Sequence, residues 1–204
     1  ISCFIVERGF TGFSSGTLKE KWGILAGNTG YFKMDDMEVP ADNLIGREGA
    51  GFKYIIDGMN AERILIAAEC IGDGKFFVDR ASAYAKERSV FGGPIGANQG
   101  VQFPLAKAYA QLCAANLVRF DAAAKFDSGQ KCAAEANMAK YLAAKASWEA
   151  ANACIQTHGG FGFAAEYDVE RKFRETRLYQ VAPISTNFIL SYVAEHLLGL
   201  PRSY

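Results

Sequence analysis

The sequence predicts a mainly α chain, a bundle of four or five helices attached to the end of a small antiparallel β region. Three observations carry this. Residues 52–87 contain no proline and only three glycines. Val101, Leu105, Ala108, Leu112 and Ala115 recur at i, i+4, i+7, i+11 and i+14, one helical stripe. Residues 133–157 are alanine-rich and run into Gly159-Gly160, a glycine stop at the C′ region.

In chain order, residues 2–6 (SCFIV) and 30–39 (GYFKMDDMEV) read as strands, bounded by Gly, Asn and Pro. Gly9, Gly12, Gly16, Gly23, Gly27 and Gly30 give turn-rich spacing between them. So few strands bury too little surface to fold alone. The expected boundary places a β remnant at 1–47 and a helical domain at 48–204. The first helix covers 52–87, with Ile55, Met59, Ile66 and Cys70 on one face, and Gly92-Gly93-Pro94 breaks it. The second covers 102–126, and Asp127-Ser-Gly129 turns the chain. Shorter helices follow at 166–178 and 185–198, the last stopping at Gly199-Leu-Pro201. Alanine runs such as 122–124 permit close helix approach.

Half of the 204 residues are apolar and 22% are charged, enough for a sizeable core. Lys+Arg and Asp+Glu are both 22, so net charge gives no argument for nucleic acid or an anionic membrane surface. A local basic pocket for a phosphate stays open. The five cysteines are odd in number and widely spaced, without Cys-x-x-Cys, and His158 and His196 are the two histidines. That argues against a disulfide framework and a zinc site and for a reducing compartment. Neither histidine follows a Glu by three positions, which argues against a dinuclear bundle site, so no metal is expected. There is no signal peptide and no long apolar span. The chain starts at Ile1 inside an expected strand and reads as a fragment of a longer protein.

Three stretches could carry chemistry. Residues 60–69 (NAERILIAAE) set a Glu-Arg pair in an apolar helix, either as a wet stripe or as a base that takes a proton from a substrate. Arg88-Ser-Val-Phe91-Gly-Gly-Pro-Ile95 with Asn98-Gln99-Gly100 suits a diphosphate and an amide-like heterocycle. Composition alone favours a plain helix end whose arginine complements the dipole. Gln156-Thr-His-Gly159-Gly160-Phe-Gly162-Phe163 lets a ligand approach the backbone closely, or serves as a glycine cap. Two such corners in one helical domain point to a large, flat, phosphate-bearing ligand.

These stretches, taken in order, resemble the C-terminal part of flavin-dependent acyl-CoA dehydrogenases over essentially the whole chain. Phe4-Ile-Val-Glu7 and Gly12-Phe13-Ser14 are similar to late strands of that family's β domain. Val39-Pro40, Asn43-Leu-Ile-Gly46 and Glu48-Gly-Ala-Gly51-Phe52 are similar to its crossover into the helices. Arg88-x-x-Phe91-Gly92, Gln99 and Gln156-x-x-Gly159-Gly160-Phe161-Gly162 are similar to its flavin-contacting corners.

The resemblance implies a C-terminal four-helix bundle, FAD as cofactor, an acyl-CoA substrate and a homo-oligomer, dimer or tetramer. It also implies an electron-transferring flavoprotein as acceptor, in the cytoplasm or, in a eukaryote, the mitochondrial matrix. A glutamate removes the α proton in that family while the β hydrogen passes to flavin N5. The base stands in one of two places. The loop before the last helix, here Leu178-Tyr-Gln-Val-Ala182-Pro183-Ile184-Ser185-Thr186-Asn187, contains no acid. The first long helix does: Glu62-Arg63-Ile-Leu-Ile matches the pattern of the isovaleryl-CoA and long-chain members. Glu62 is therefore the expected base, and Glu69, two turns on, the second candidate. This base position favours branched or bulky acyl chains.

By the same resemblance Arg63 orients the loop or a substrate group, and Met59 and Asn60 approach the acyl-CoA. Plain core packing also accounts for Met59. Arg88 and Phe91 contact FAD. Gln99, Gln156, Gly159 and Gly160 contact it from a neighbouring subunit, and Ser185 and Asn187 lie near the flavin. Pro183 brings a difficulty, because the family's thioester oxygen accepts from a backbone N–H at the loop position and proline has none. A register one residue off, donation by a neighbour such as Ile184, or altered activity would each account for it. An acyl-CoA oxidase-like or nitroalkane oxidase-like flavoenzyme and an inactive oligomerisation or interaction domain are the rival readings.

Overall fold

A computed structural model describes residues 1–203, which divide into two compact units, Ile1–Met59 and the chain from Asn60 onward. In the first unit, β1 (Phe13–Thr17) and β2 (Gly30–Met34) form an antiparallel hairpin in the register Phe13↔Met34 to Thr17↔Gly30. Phe13 and Phe32 stack across it, ring centroids 5.9 Å apart. The Lys21 ammonium ties the long connection to the Ile24 and Gly27 carbonyls and the Thr29 hydroxyl. Gly12 enters β1 at φ 84°, where a Cβ would collide with the Asp35 carbonyl oxygen.

The strand expected over 2–6 reduces to one antiparallel bridge, Phe4↔Leu44. Its partner segment is a 3₁₀ turn, Ala41–Asn43, after Pro40, which leaves no extended ladder to pair with. The strand expected over 30–39 stops at Met34, because Asp36 takes a left-handed φ of 45°.

The helical part is built from α1 (Gly51–Glu87), α2 (Gln99–Asp127), α3 (Ala133–His158), α4 (Val169–Thr176) and α5 (Thr186–Tyr192). Two-residue strands β3 (Ser89–Val90) and β4 (Gly93–Pro94) form the corner between α1 and α2. The stripe expected on α2 is the buried one, with Leu105, Ala108, Leu112 and Ala115 in the core and Val101 packed against it. Ala136, Ala139, Ala143, Ala146, Ala150 and Cys154 bury the facing side of α3. Their small side chains let α2 and α3 lie close. On α1 the expected face is covered only in part. Ile55 stays exposed, Met59 and Ile66 are half-buried, and the core begins at Ala67, Cys70 and Ile71.

α3 ends where expected, at Gly159 with φ 57° and ψ −132°. The helix expected over 166–178 is interrupted. Asp168 sits at φ 58° and chelates Arg171 at 2.6 and 2.7 Å, so α4 starts at Val169 and gives way to a 3₁₀ turn at Arg177–Gln180. The last helix becomes a π turn over Val193–Leu197 before Gly199 reverses the chain at φ 67°. Cys70, Cys132 and Cys154 are buried, Cys3 is half-buried and Cys113 is exposed, all as free thiols. Among the described residues no helix is long and apolar enough to cross a membrane.

Candidate active site and cofactor corner

Two pockets gather the residues singled out in the sequence. The first, of about 500 Å³, is walled by Arg63 of α1, Asn137 of α3, the loop residues Val181, Pro183, Ile184 and Ser185, and Phe188 and Tyr192 of α5. Arg63 donates from Nη1 to Asn60 Oδ1 at 3.0 Å, while its buried Nε meets no acceptor. Burial holds the guanidinium pKa below its ordinary value, against the opposing pull of Tyr192 and Glu62. A half-buried cation with an unanswered donor is poised for an acceptor that enters the pocket.

Among the described residues no carboxylate lines this pocket. Glu62 stands beside it on α1, adjacent in sequence to Arg63 and exposed, and Met59 and Asn60 are half-buried on the preceding turn. Glu69 is exposed and interacts with the Tyr179 hydroxyl. Ser185 lines the pocket and caps α5, its Oγ accepting from Phe188 N at 3.4 Å, and Asn187 is exposed in the first turn.

The loop itself is pinned to α3. Lys140 is fully buried and donates to the Tyr179 carbonyl at 2.6 Å and the Ile184 carbonyl at 2.7 Å. Gln180 donates to the Ala144 carbonyl at 2.8 Å, and the Ser147 and Thr176 hydroxyls meet at 2.7 Å. Positions 140, 144 and 147 are i, i+4 and i+7, one face of the helix. Burial pushes the Lys140 ammonium down to about 8. Sequence reasoning missed this lysine, because its partners are loop carbonyls 39 and 44 positions away in the chain.

The second pocket, of about 450 Å³, joins the two glycine corners. Tyr84, Arg88 and Ile95 come from the α1–α2 corner, and Thr157, His158, Gly159, Gly160 and Phe161 from the end of α3. A Cβ added at Gly159 or Gly160 meets no protein atom within 4 Å, so the backbone there is open to a ligand. His158 stacks on Tyr84 with centroids 4.3 Å apart, and its Nδ1 donates to the Cys154 carbonyl at 2.9 Å. One guanidinium, bare backbone and aromatic faces suit an anionic ligand with flat rings. Gln99 and Gln156 lie outside this lining and are exposed. Phe91 stands fully exposed at the β3–β4 tip, at φ 53°.

The sequence profile of the acyl-CoA dehydrogenase C-terminal domain matches residues 49–198. The chain belongs to the acyl-CoA dehydrogenase family. Family members similar to it include FadE12 of Mycobacterium tuberculosis, described as an acyl-CoA dehydrogenase, at 43% identity over 84% of this chain and 45% of the relative. An acyl-CoA dehydrogenase of Bacillus subtilis is 38% identical over 98% of this chain and 52% of its own length. Among solved structures, glutaryl-coenzyme A dehydrogenase in complex with glutaryl-CoA superposes with a TM-score of 0.90 at 33% identity, covering 99% of this chain and 51% of that one. The chain thus spans about half the length of the family members it matches.

Proposed function

We propose that the chain is the C-terminal portion of a FAD-dependent acyl-CoA dehydrogenase in which Glu62 is the catalytic base. The observation that supports this is the loop pocket. Arg63 and the acid-free Val181–Ser185 segment share it, no lining carboxylate competes, and Glu62 precedes Arg63 on α1. Glu69 is occupied by Tyr179, which favours Glu62 of the two helix candidates.

In the reaction the Cα–H bond breaks toward the Glu62 carboxylate, which takes the proton, and a Cα=Cβ bond forms as the β hydrogen leaves with its electron pair. FAD supplies the hydride acceptor, N5. Arg63, with its unanswered Nε, positions the acyl-CoA, and Met59 and Asn60 flank it. The base position fits a branched or bulky acyl chain, and an electron-transferring flavoprotein is the proposed acceptor.

The glycine-corner pocket fits the diphosphate of FAD through Arg88, Gly159 and Gly160, with Phe91, Gln99 and Gln156 on its exposed margin. Ser185 and Asn187 fit the flavin end. Asn137 and His158 mark the two pockets on α3, 21 positions apart, which is roughly 30 Å at about 1.5 Å per residue. By the family resemblance each cofactor would draw on two chains of the proposed homo-oligomer.

The test is Glu62→Gln in the full-length protein. Flavin reduction by acyl-CoA under anaerobic conditions falls by a factor on the order of 10²–10⁴, the usual contribution of a positioned base, while FAD content is kept. Undiminished reduction overturns the assignment.

A further inference from the structure

Pro183 removes a backbone donor at the place where a thioester oxygen needs one, and the contacts of Lys140 indicate what replaces it. A lysine fully buried at the centre of an alanine helix carries a desolvation cost that a Met or Leu would avoid. Its ammonium answers two carbonyls that bracket the loop, Tyr179 and Ile184, at 2.6 and 2.7 Å. In a trans peptide the C=O and the next N–H point in opposite directions. Drawing the Ile184 carbonyl onto Lys140, toward α3, therefore turns the Ser185 N–H to the opposite side of that peptide. Ile184 and Ser185 both line the pocket that holds Arg63.

We propose that Lys140 is a positioning residue for the thioester: by holding the Ile184 carbonyl against α3 it presents the Ser185 amide to the pocket, where it donates to the thioester oxygen in place of the amide that Pro183 lacks. This rests on the acyl-CoA dehydrogenase reading. The oriented amide acts as half of an oxyanion-type site, stabilising the negative charge that builds on the thioester oxygen as the α proton leaves. Lys140 touches no substrate atom and works through the loop backbone.

The test uses the full-length, FAD-loaded protein and two pairs of variants. Ser185 has φ −63°, the value proline requires, so Ser185→Pro deletes the N–H without changing that angle. Ser185→Ala deletes the hydroxyl and keeps the N–H. Lys140→Met leaves both carbonyls unanswered, and Lys140→Gln, of similar volume, returns an N–H donor.

At matched FAD occupancy, flavin bleaching by acyl-CoA falls on the order of 10²-fold in Ser185→Pro, as for loss of one oxyanion donor, and less in Ser185→Ala, whose lost contact to the flavin end is read separately as FAD content. Lys140→Met accelerates backbone hydrogen exchange across 179–186 and slows bleaching at least tenfold. Lys140→Gln falls between Lys140→Met and the wild type, and should Lys140→Met not fold, Lys140→Gln against wild type carries the comparison. Equal losses in the two Ser185 variants, or unchanged exchange and bleaching in the Lys140 variants, overturn this proposal alone. A wild-type enzyme that no acyl-CoA bleaches overturns the functional reading, and this one with it.

Discussion

Arg88 lies over the ring of Phe161, its guanidinium carbon 5.8 Å from the ring centroid. The contact joins residues 73 positions apart in sequence and closes one wall of the glycine-corner pocket. The ring holds the planar cation in place without consuming its N–H donors, which remain for phosphate oxygens. Arg88→Ala is expected to weaken FAD retention on the order of tenfold or more, in line with about 1.5–3 kcal/mol for a hydrogen bond to a charged group. Arg88→Lys restores part of it. Fluorescence of released flavin during dilution measures both.

Arg63 has a different expected signature. Arg63→Lys keeps a cation and an apolar stem but gives up the fork that reaches Asn60 at 3.0 Å. The expected outcome is a raised KM for acyl-CoA with the melting temperature little changed. Steady-state kinetics beside a thermal melt check it, and an unchanged KM removes Arg63 from substrate positioning.

Lys140 makes stability depend on pH in a direction that can be stated. Burial lowers its ammonium from 10.5 to about 8, so between these values the unfolded chain binds more protons than the folded one. Stability contributed at this site then rises with pH across that window, and the desolvation cost is fully present below it. Cys70 and Tyr179, whose pKa values burial raises, pull the other way at high pH. The measurement is therefore a difference. Wild type minus Lys140→Met, followed by denaturant unfolding, should climb from pH 8 toward pH 10, and a flat difference contradicts it.

Gly74 of α1 packs against Leu112 of α2. A Cβ there runs into the Leu112 side chain, whose Cα carries a fully packed leucine at 2% exposure. Gly74→Ala should destabilise by about 1–3 kcal/mol, the usual cost of overpacking, despite the better helix propensity of alanine. A lowered melting temperature checks this.

Long helices were legible in the sequence because their periodicity and their stops agree. The α2 stripe and the Gly159 stop lie where the pattern places them. The resemblance marked β1 only at Gly12-Phe13-Ser14; Ser15 and Gly16 are poor strand formers, and pairing with β2 overrides their preference. The break at Asp168 depends on a side-chain chelate to Arg171 that no periodicity reports. At the candidate site, the resemblance singled out Arg63, Arg88, Gly159 and Gly160, which line the pockets. Lys140, Asn137 and Tyr192 were missed because their role depends on which loop docks on which helix face, a long-range contact with no local signature.

The buried thiols turn the bundle into its own stopwatch. Burial pushes the Cys154 thiol up to about 12 and raises that of Cys70 as well, so neither supplies thiolate while the helices are closed. Cys113, exposed on α2, reacts with an aromatic disulfide reagent at once, and Cys3 follows. Every later equivalent of released thiolate then counts an opening that uncovers Cys70, Cys132 or Cys154, and its rate times how often the bundle parts.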